Sequence, residues 1–271
     1  MSADVHKPIF IIGSPRSGTG ILYRTMASHP DLAWISNITK KVPGSLLATR
    51  TIMLFRDDHR PTEANKVWSK YAHNQDESLG KQDVTPAARR YLHRVVHNNL
   101  KIFNKPRFLS KCPGNSVRME FLHAIFPDAI FIHIIRDGRA VAYSIMGSRQ
   151  KHSDQYWSTK PPGWRDLLHR PMLEACALQW KMIVQHTLNS ARNLPRDQYL
   201  EVKYEDFVER PAETLKFVGK KCGLDWSEDL LTHSTIGIQN RNFKWQENLS
   251  PAEKATLATH LEELLVRLGY C

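Results

Sequence analysis

Residues 8–24 read Pro-Ile-Phe-Ile-Ile-Gly-Ser-Pro-Arg-Ser-Gly-Thr-Gly-Ile-Leu-Tyr-Arg, a succession of strand, glycine loop and helix around which the rest of the chain is organised. The apolar run Ile9 to Ile12 is short, β-branched and uninterrupted, as a strand buried on both faces of a parallel sheet requires. Gly13 and Gly18 then allow a tight turn, so that the amides from Arg16 to Gly20 converge at the start of the next helix, where an anion binds. The spacing of the two glycines matches the first half of a P-loop. Thr19-Gly20, however, stands where that motif needs Lys followed by Ser or Thr. The cation is instead Arg16, inside the loop, whose planar fork suits a phosphate or sulfonate.

The same alternation recurs downstream. Thr85-Pro86 opens a helix whose apolar stripe runs through Tyr91, Leu92, Val95, Val96, Leu100 and Phe103. Phe108-Leu109-Ser110 forms a short strand ending at Lys111, and a helix from Asn115 to Phe126 follows. Ala129 to Ile135 is the strongest strand signal in the chain, and it ends at Arg136. Three strands thus deliver Arg16, Lys111 and Arg136 to the carboxyl edge of a sheet, where open α/β sheets bind ligands. Asp137 caps a helix that carries Ser144. A helix from Pro171 to about Arg192, a strand from Tyr199 to Tyr204, a helix from Pro211 closed by Gly223 and a helix from Pro251 to Leu268 complete the pattern. Residues 31–80, 150–170 and 233–249 are read as irregular, the first two as acceptor-side segments. The expected fold class is α/β, a three-layer P-loop-like fold with a central, mostly parallel sheet flanked by helices, in one domain covering 1–271.

Charge narrows the ligand. Lys and Arg number 38 against 27 acids, for a net charge of +11, so the surface favours anions. The basic residues are dispersed, without a long run or a zinc-finger spacing, and no nucleic-acid partner is expected. Cys112, Cys176, Cys222 and Cys271 form no CxxC pair, so neither metal nor a disulfide framework is expected. With no bilayer-length apolar stretch and no signal-peptide core in residues 1–7, a reduced cytoplasmic protein is expected.

These motifs resemble the PAPS-dependent sulfotransferase family, whose members move a sulfuryl group from 3′-phosphoadenosine 5′-phosphosulfate (PAPS) and release 3′,5′-adenosine bisphosphate (PAP). Pro15 to Thr19 is similar to the family's 5′-phosphosulfate loop, and Arg136-Asp137-Gly138-Arg139-Ala140 with Ser144 to its 3′-phosphate site. Phe126-Pro127-Asp128-Ala129 and the Arg-Asp-Gly-Arg that follows the strand resemble the tyrosylprotein and bacterial branch most closely. Tyr204-Glu205-Asp206, Lys244-Trp245 and Leu268-Gly269-Tyr270 extend the likeness over nearly the whole chain. The resemblance implies that Arg16, Ser17, Gly18, Thr19 and Gly20 hold the 5′ end, and Arg136 and Ser144 the 3′-phosphate. It also implies that Tyr204 lies near the adenine side and that Lys244, in the loop before the last helix, closes over the cofactor. Arg149 stands one residue from a basic position of the family. Lys111 resembles the lysine that steadies the bridging oxygen, and Ser234 a serine that assists it.

One element departs from the family. The tyrosylprotein enzymes carry a glutamate soon after the His-Pro that ends the first helix, where this chain reads Trp34-Ile35-Ser36-Asn37. Glu63 is the substitute general base for a hydroxyl acceptor of unknown class, with His59 second and His152 third. Two other functions compete: a nucleotide kinase with a degenerate P-loop, and a non-catalytic binder of anions or nucleic acid that kept the fold without a base.

Overall fold

The computed structural model describes residues 5–72, 76–152 and 157–270. Cys271, residues 1–4 of the amino-terminal segment, and residues 153–156 of the expected substrate loop lie outside them. In chain order the elements are β1 (Ile9–Ile12), α1 (Thr19–Ala27), β2 (Leu32–Ala33), α2 (Leu46–Met53), α3 (Asn65–Trp68), α4 (Pro86–Phe103), β3 (Arg107–Lys111), α5 (Met119–Ile125) and β4 (Ile130–Ile135). There follow α6 (Gly138–His152), α7 (Met172–Ala191), β5 (Tyr199–Lys203), α8 (Tyr204–Glu209), α9 (Pro211–Cys222), α10 (Glu228–Thr235), α11 (Lys244–Asn248) and α12 (Pro251–Arg267).

The strands form one parallel sheet in the order β2-β3-β1-β4-β5. All four residues of β1 are fully buried, as the uninterrupted apolar run requires. Their side chains alternate between faces. Ile9 and Ile11 join Leu109, Ile132 and Ile134 beneath α1, α8 and α9, whereas Phe10 and Ile12 join Phe108 and Phe131 beneath α4 and α5. Each such Ile or Phe contributes roughly 1.5–3 kcal/mol by leaving water, so the two central strands fix the sheet. A third apolar cluster, from α6, α7 and α12, packs around Trp180. His133, inside β4, is a core residue: its Nδ1 meets the Tyr199 hydroxyl at 2.7 Å. Burial pushes its pKa down to about 3.

The helix boundaries follow local chemistry. Thr85 Oγ1 accepts from Ala88 N ahead of Pro86, and Ser250 and Glu253 form a reciprocal capping box at α12. Asp137 Oδ1 accepts from Arg139 N at 2.8 Å where α6 begins.

Three expectations need correction. Residues 31–80 are not wholly irregular, since they hold β2, α2 and α3; β2 has two residues, too few to carry a period. The helix expected from Asn115 is a 3₁₀ turn, Pro113–Val117, followed by α5. Ser116 is drawn inward there to hold the loop after β1. The stretch 233–249 contains the end of α10 and all of α11.

The start of α6 lies against α7, where a Cβ on Gly138 would sit 2.6 Å from the Trp180 ring. Gly138→Val is therefore expected to lose about 1–3 kcal/mol through overpacking, measured as a lower urea midpoint at an unchanged slope.

Candidate active site

Because β3, β1, β4 and β5 are adjacent and parallel, the residues that follow them emerge at one edge. Arg16, Lys111, Arg136 and Tyr204 all line one cavity of about 580 Å³ there. Gly18, Thr19, Gly20, Glu63, Ser144 and Lys244 line it as well. So do Arg24, Arg149 and Arg241, which makes, among the described residues, seven cationic side chains against one carboxylate, Glu63. A cavity so composed favours a ligand with several negative charges.

The loop after β1 is held from both sides. Ser116 Oγ accepts from Gly13 N at 2.8 Å and donates to Gly13 O at 3.0 Å. Gly18 opens α1 at φ +92°, with no side chain capping the helix. A Cβ there would also collide with the Tyr204 ring. Only glycine meets both conditions. Arg16 adopts φ +69°, a left-handed conformation disfavoured for a side-chain-bearing residue. Its Nε donates to Ser144 Oγ at 3.0 Å, so the residue expected at the 5′ end reaches across to the one expected at the 3′-phosphate. Ser17 Oγ is buried without a hydrogen-bond partner among the described residues. A buried hydroxyl left so is costly unless a ligand satisfies it.

Arg136 is buried, with its guanidinium 4.3 Å from the centre of the Tyr204 ring. It donates to Arg16 O at 3.1 Å, Arg241 O at 2.9 Å and Asn242 Oδ1 at 2.9 Å. Burial lowers its pKa. Glu205 organises this corner: Oε1 accepts from Asp137 N at 3.1 Å and Asn242 Nδ2 at 2.8 Å, and Oε2 from the Tyr270 hydroxyl at 2.9 Å. The Tyr-Glu-Asp and Leu-Gly-Tyr segments thereby meet, and through Asn242 they fix the direction of Arg136.

Lys111, at the end of β3, is almost wholly buried and ion-paired with Glu63. An ammonium has three donors, so this pair leaves Lys111 able to hold a second oxygen. Cys112 beside it is no nucleophile. Burial pushes its thiol pKa up to about 11, and Sγ donates to Asn65 Oδ1 at 2.9 Å. Arg118, buried behind this corner, donates to Glu77 O at 2.7 Å, and Glu77 N to Lys160 O at 3.0 Å, which anchors the segment after residue 156. Arg149 donates to Gln179 Oε1 at 2.8 Å, with its guanidinium 3.7 Å from the centre of the Trp157 ring. A second cavity of about 700 Å³ adjoins through Arg149, with Trp157 and Trp164 in its wall.

Three expected residues stand elsewhere. Ser234 is in the last turn of α10, where its hydroxyl lies 2.6 Å from that of Ser28, just past the end of α1. Since α1 spans nine residues, roughly 13 Å at 1.5 Å per residue, Ser234 is at the wrong end of that helix to assist Lys111. His59 pairs with Asp57 at 3.3 Å, and His152 Nδ1 lies 2.9 Å from Ser148 O; neither lines the cavity. Lys244 does line it, but as the first residue of α11 rather than from a loop. Sequence pattern alone does not single out Ser116, Glu205, Asn242, Arg24 or Arg241. Glu205 lies in the Tyr-Glu-Asp motif and Arg24 at the end of the strand–loop–helix stretch 8–24, whereas the other three stand in none of the motifs quoted above.

The sequence matches the model of the Sulfotransferase family over residues 8–228. The chain belongs to that family. It is 24% identical over 230 residues to the protein-tyrosine sulfotransferase of Drosophila melanogaster, covering 83% of this chain but 40% of the fly protein. Sulfotransferase STF9 of Mycobacterium avium has a similar fold, with a TM-score of 0.65 at 16% identity over 98% of this chain and 77% of the other. Mouse sulfotransferase SULT7A1, solved with PAP, superposes with a TM-score of 0.51 at 12% identity over 96% of this chain and 84% of the other. No helix among the described residues is long and apolar enough to cross a membrane.

Glu205 accepts three partly buried hydrogen bonds, whereas among the described residues the Ser234 hydroxyl meets only Ser28. Glu205→Ala should cost at least about 1–3 kcal/mol and Ser234→Ala less than about 0.5, compared by urea unfolding.

Proposed function

We propose that this chain is a sulfotransferase that takes PAPS as donor and a hydroxyl compound as acceptor, with residues 1–271 acting as one catalytic domain. The observation that carries the reading is the Lys111–Glu63 pair in a cavity whose other charged side chains, among the described residues, are all cations. The orphaned Ser17 hydroxyl, the uncapped start of α1 and the mouse protein's PAP complex support the donor assignment.

Bound donor supplies the activated sulfuryl group and leaves as PAP. Around it Ser17, Arg16 and the amides through Gly20 hold the 5′ end, Arg136 and Ser144 the 3′-phosphate, and Tyr204 the adenine side. Lys244, from the start of α11, covers the site. Lys111 donates to the oxygen on which charge collects as the sulfur bond breaks. Glu63 takes the proton from the acceptor hydroxyl at one of its carboxylate oxygens. Ser234 has no part in this arrangement. Positioning and charge stabilisation do most of the work, as they do in phosphoryl transfer. At an effective dielectric near 20, a cation about 4 Å from an anionic oxygen is worth about 4 kcal/mol. The Glu63 attraction for Lys111 is of the same order, and a donor oxyanion therefore competes with it or shares the ammonium.

Transfer of radiolabelled sulfate from PAPS to hydroxyl acceptors tests the reading. Glu63→Gln should lower kcat by about 10²–10⁴-fold while PAP binding, measured calorimetrically, persists. Retention of the full rate by that variant excludes Glu63 as the base. Greater thermal stabilisation by ATP with magnesium than by PAP would support the kinase reading in its place.

A further inference from the structure

The chain leaves the sheet region and returns to it through a small antiparallel bridge. Ser36 pairs with Pro61, Asn37 N donates to Arg60 O at 3.2 Å, and Thr62 N donates to Ile35 O at 3.0 Å. Glu63 follows two residues after the bridge. Between its two sides runs an excursion that carries α2. Thr49 is the buried residue of α2, and Pro43 O accepts from Asn98 Nδ2 of α4 at 3.4 Å, so the excursion is fastened along one side. The other side faces outward. Leu47, Leu54 and Phe55 are 77, 79 and 82% exposed, the three most exposed large apolar side chains among the described residues. Leu47 and Leu54 are seven positions apart, two helical turns, and share a face with Arg50 between them.

Along the segment that carries the patch, residues 32–56, the charge has one sign. From residue 32 to residue 56 there is no Asp or Glu, whereas Lys40, Lys41, Arg50 and Arg56 are all present and exposed. The first acids beyond are Asp57, which lies beside His59, and Asp58, which is paired with Arg60. An apolar stripe edged by Lys and Arg on an amphipathic segment is what a negatively charged lipid surface binds: the side chains enter the headgroup boundary and the cations meet the phosphates. A protein partner would be expected to present carboxylates in a fixed pattern, for which the dispersed cations supply no fork or groove.

We infer that α2 with Phe55 docks this protein on anionic lipid bilayers and holds the Glu63 side of the site close to the membrane surface. The inference goes beyond the proposed reaction and does not rest on it, since binding is read without donor or acceptor.

The test is co-sedimentation of the full chain with phosphatidylcholine vesicles, with and without phosphatidylglycerol. Binding should need the anionic lipid, weaken as salt rises, and fall at least about tenfold in the triple variant Leu47→Ser, Leu54→Ser, Phe55→Ser. Unchanged thermal unfolding of that variant verifies its fold, and Lys40→Glu with Lys41→Glu should weaken binding independently of the apolar residues. Equal binding by the triple variant, equal binding to phosphatidylcholine alone, or no binding by the parent protein overturns the inference. So does self-association by sedimentation velocity that the triple variant abolishes, in the absence of lipid binding; the patch would then be an interface between copies of the chain.

Discussion

The parallel pairing of β3, β1, β4 and β5 is the constraint on which the site depends. Ile9 is level with Leu109 and Ile130, and Ile135 with Lys203, so the ends of all four strands reach the same edge. Arg16, Lys111, Arg136 and Tyr204 come from four separate parts of the chain, but none needs a long loop to reach the others. A parallel sheet also requires helices on both faces. That requirement keeps the edge at its carboxyl end as the place where polar side chains gather without cutting into the core.

Gathering so many cations carries an electrostatic cost, and the structure offsets it by pairing each buried one. Arg136 uses two backbone carbonyls, a side-chain amide oxygen and the face of an aromatic ring, and Lys111 uses Glu63. These partners differ in kind. Neutral carbonyls and a ring leave the positive charge of Arg136 largely available to an anion, whereas Glu63 neutralises that of Lys111. The two ends of the cavity are therefore electrostatically distinct: one is built to hold charge, and the other joins a cation to a group that can accept a proton. Glu205 takes no place in the cavity wall, but its three hydrogen bonds tie the starts of α6 and α8, the segment before α11 and the chain's end into the frame that aims Arg136.

The strands and the cation at the end of each were legible in the sequence because they depend on local rules. A fully buried strand shows as an unbroken β-branched run, and a strand end followed by Arg or Lys needs no tertiary information to be noticed. The helix starts at Thr85-Pro86 and Ser250-Pro251 are equally local. Ser116 was not legible, since one serine in a Pro-Gly-Asn-Ser turn has no pattern, and its value comes from a loop 103 positions away. The two-residue strand β2 has no period to read, and the last turn of α10 and the whole of α11 read as loop because short helices carry only one or two turns of pattern.

For this protein the sequence by itself determined the α/β class, the order of the longer strands and helices along the chain, the glycine loop after β1 and the family. Each of these rests on neighbours in the chain or on motifs that survive alone. Only the tertiary structure decided which carboxylate faces Lys111, why Ser234 does not, and how Glu205 reaches Arg136. Those outcomes depend on distances between segments tens to hundreds of residues apart, and such distances are set by packing, which no local pattern records.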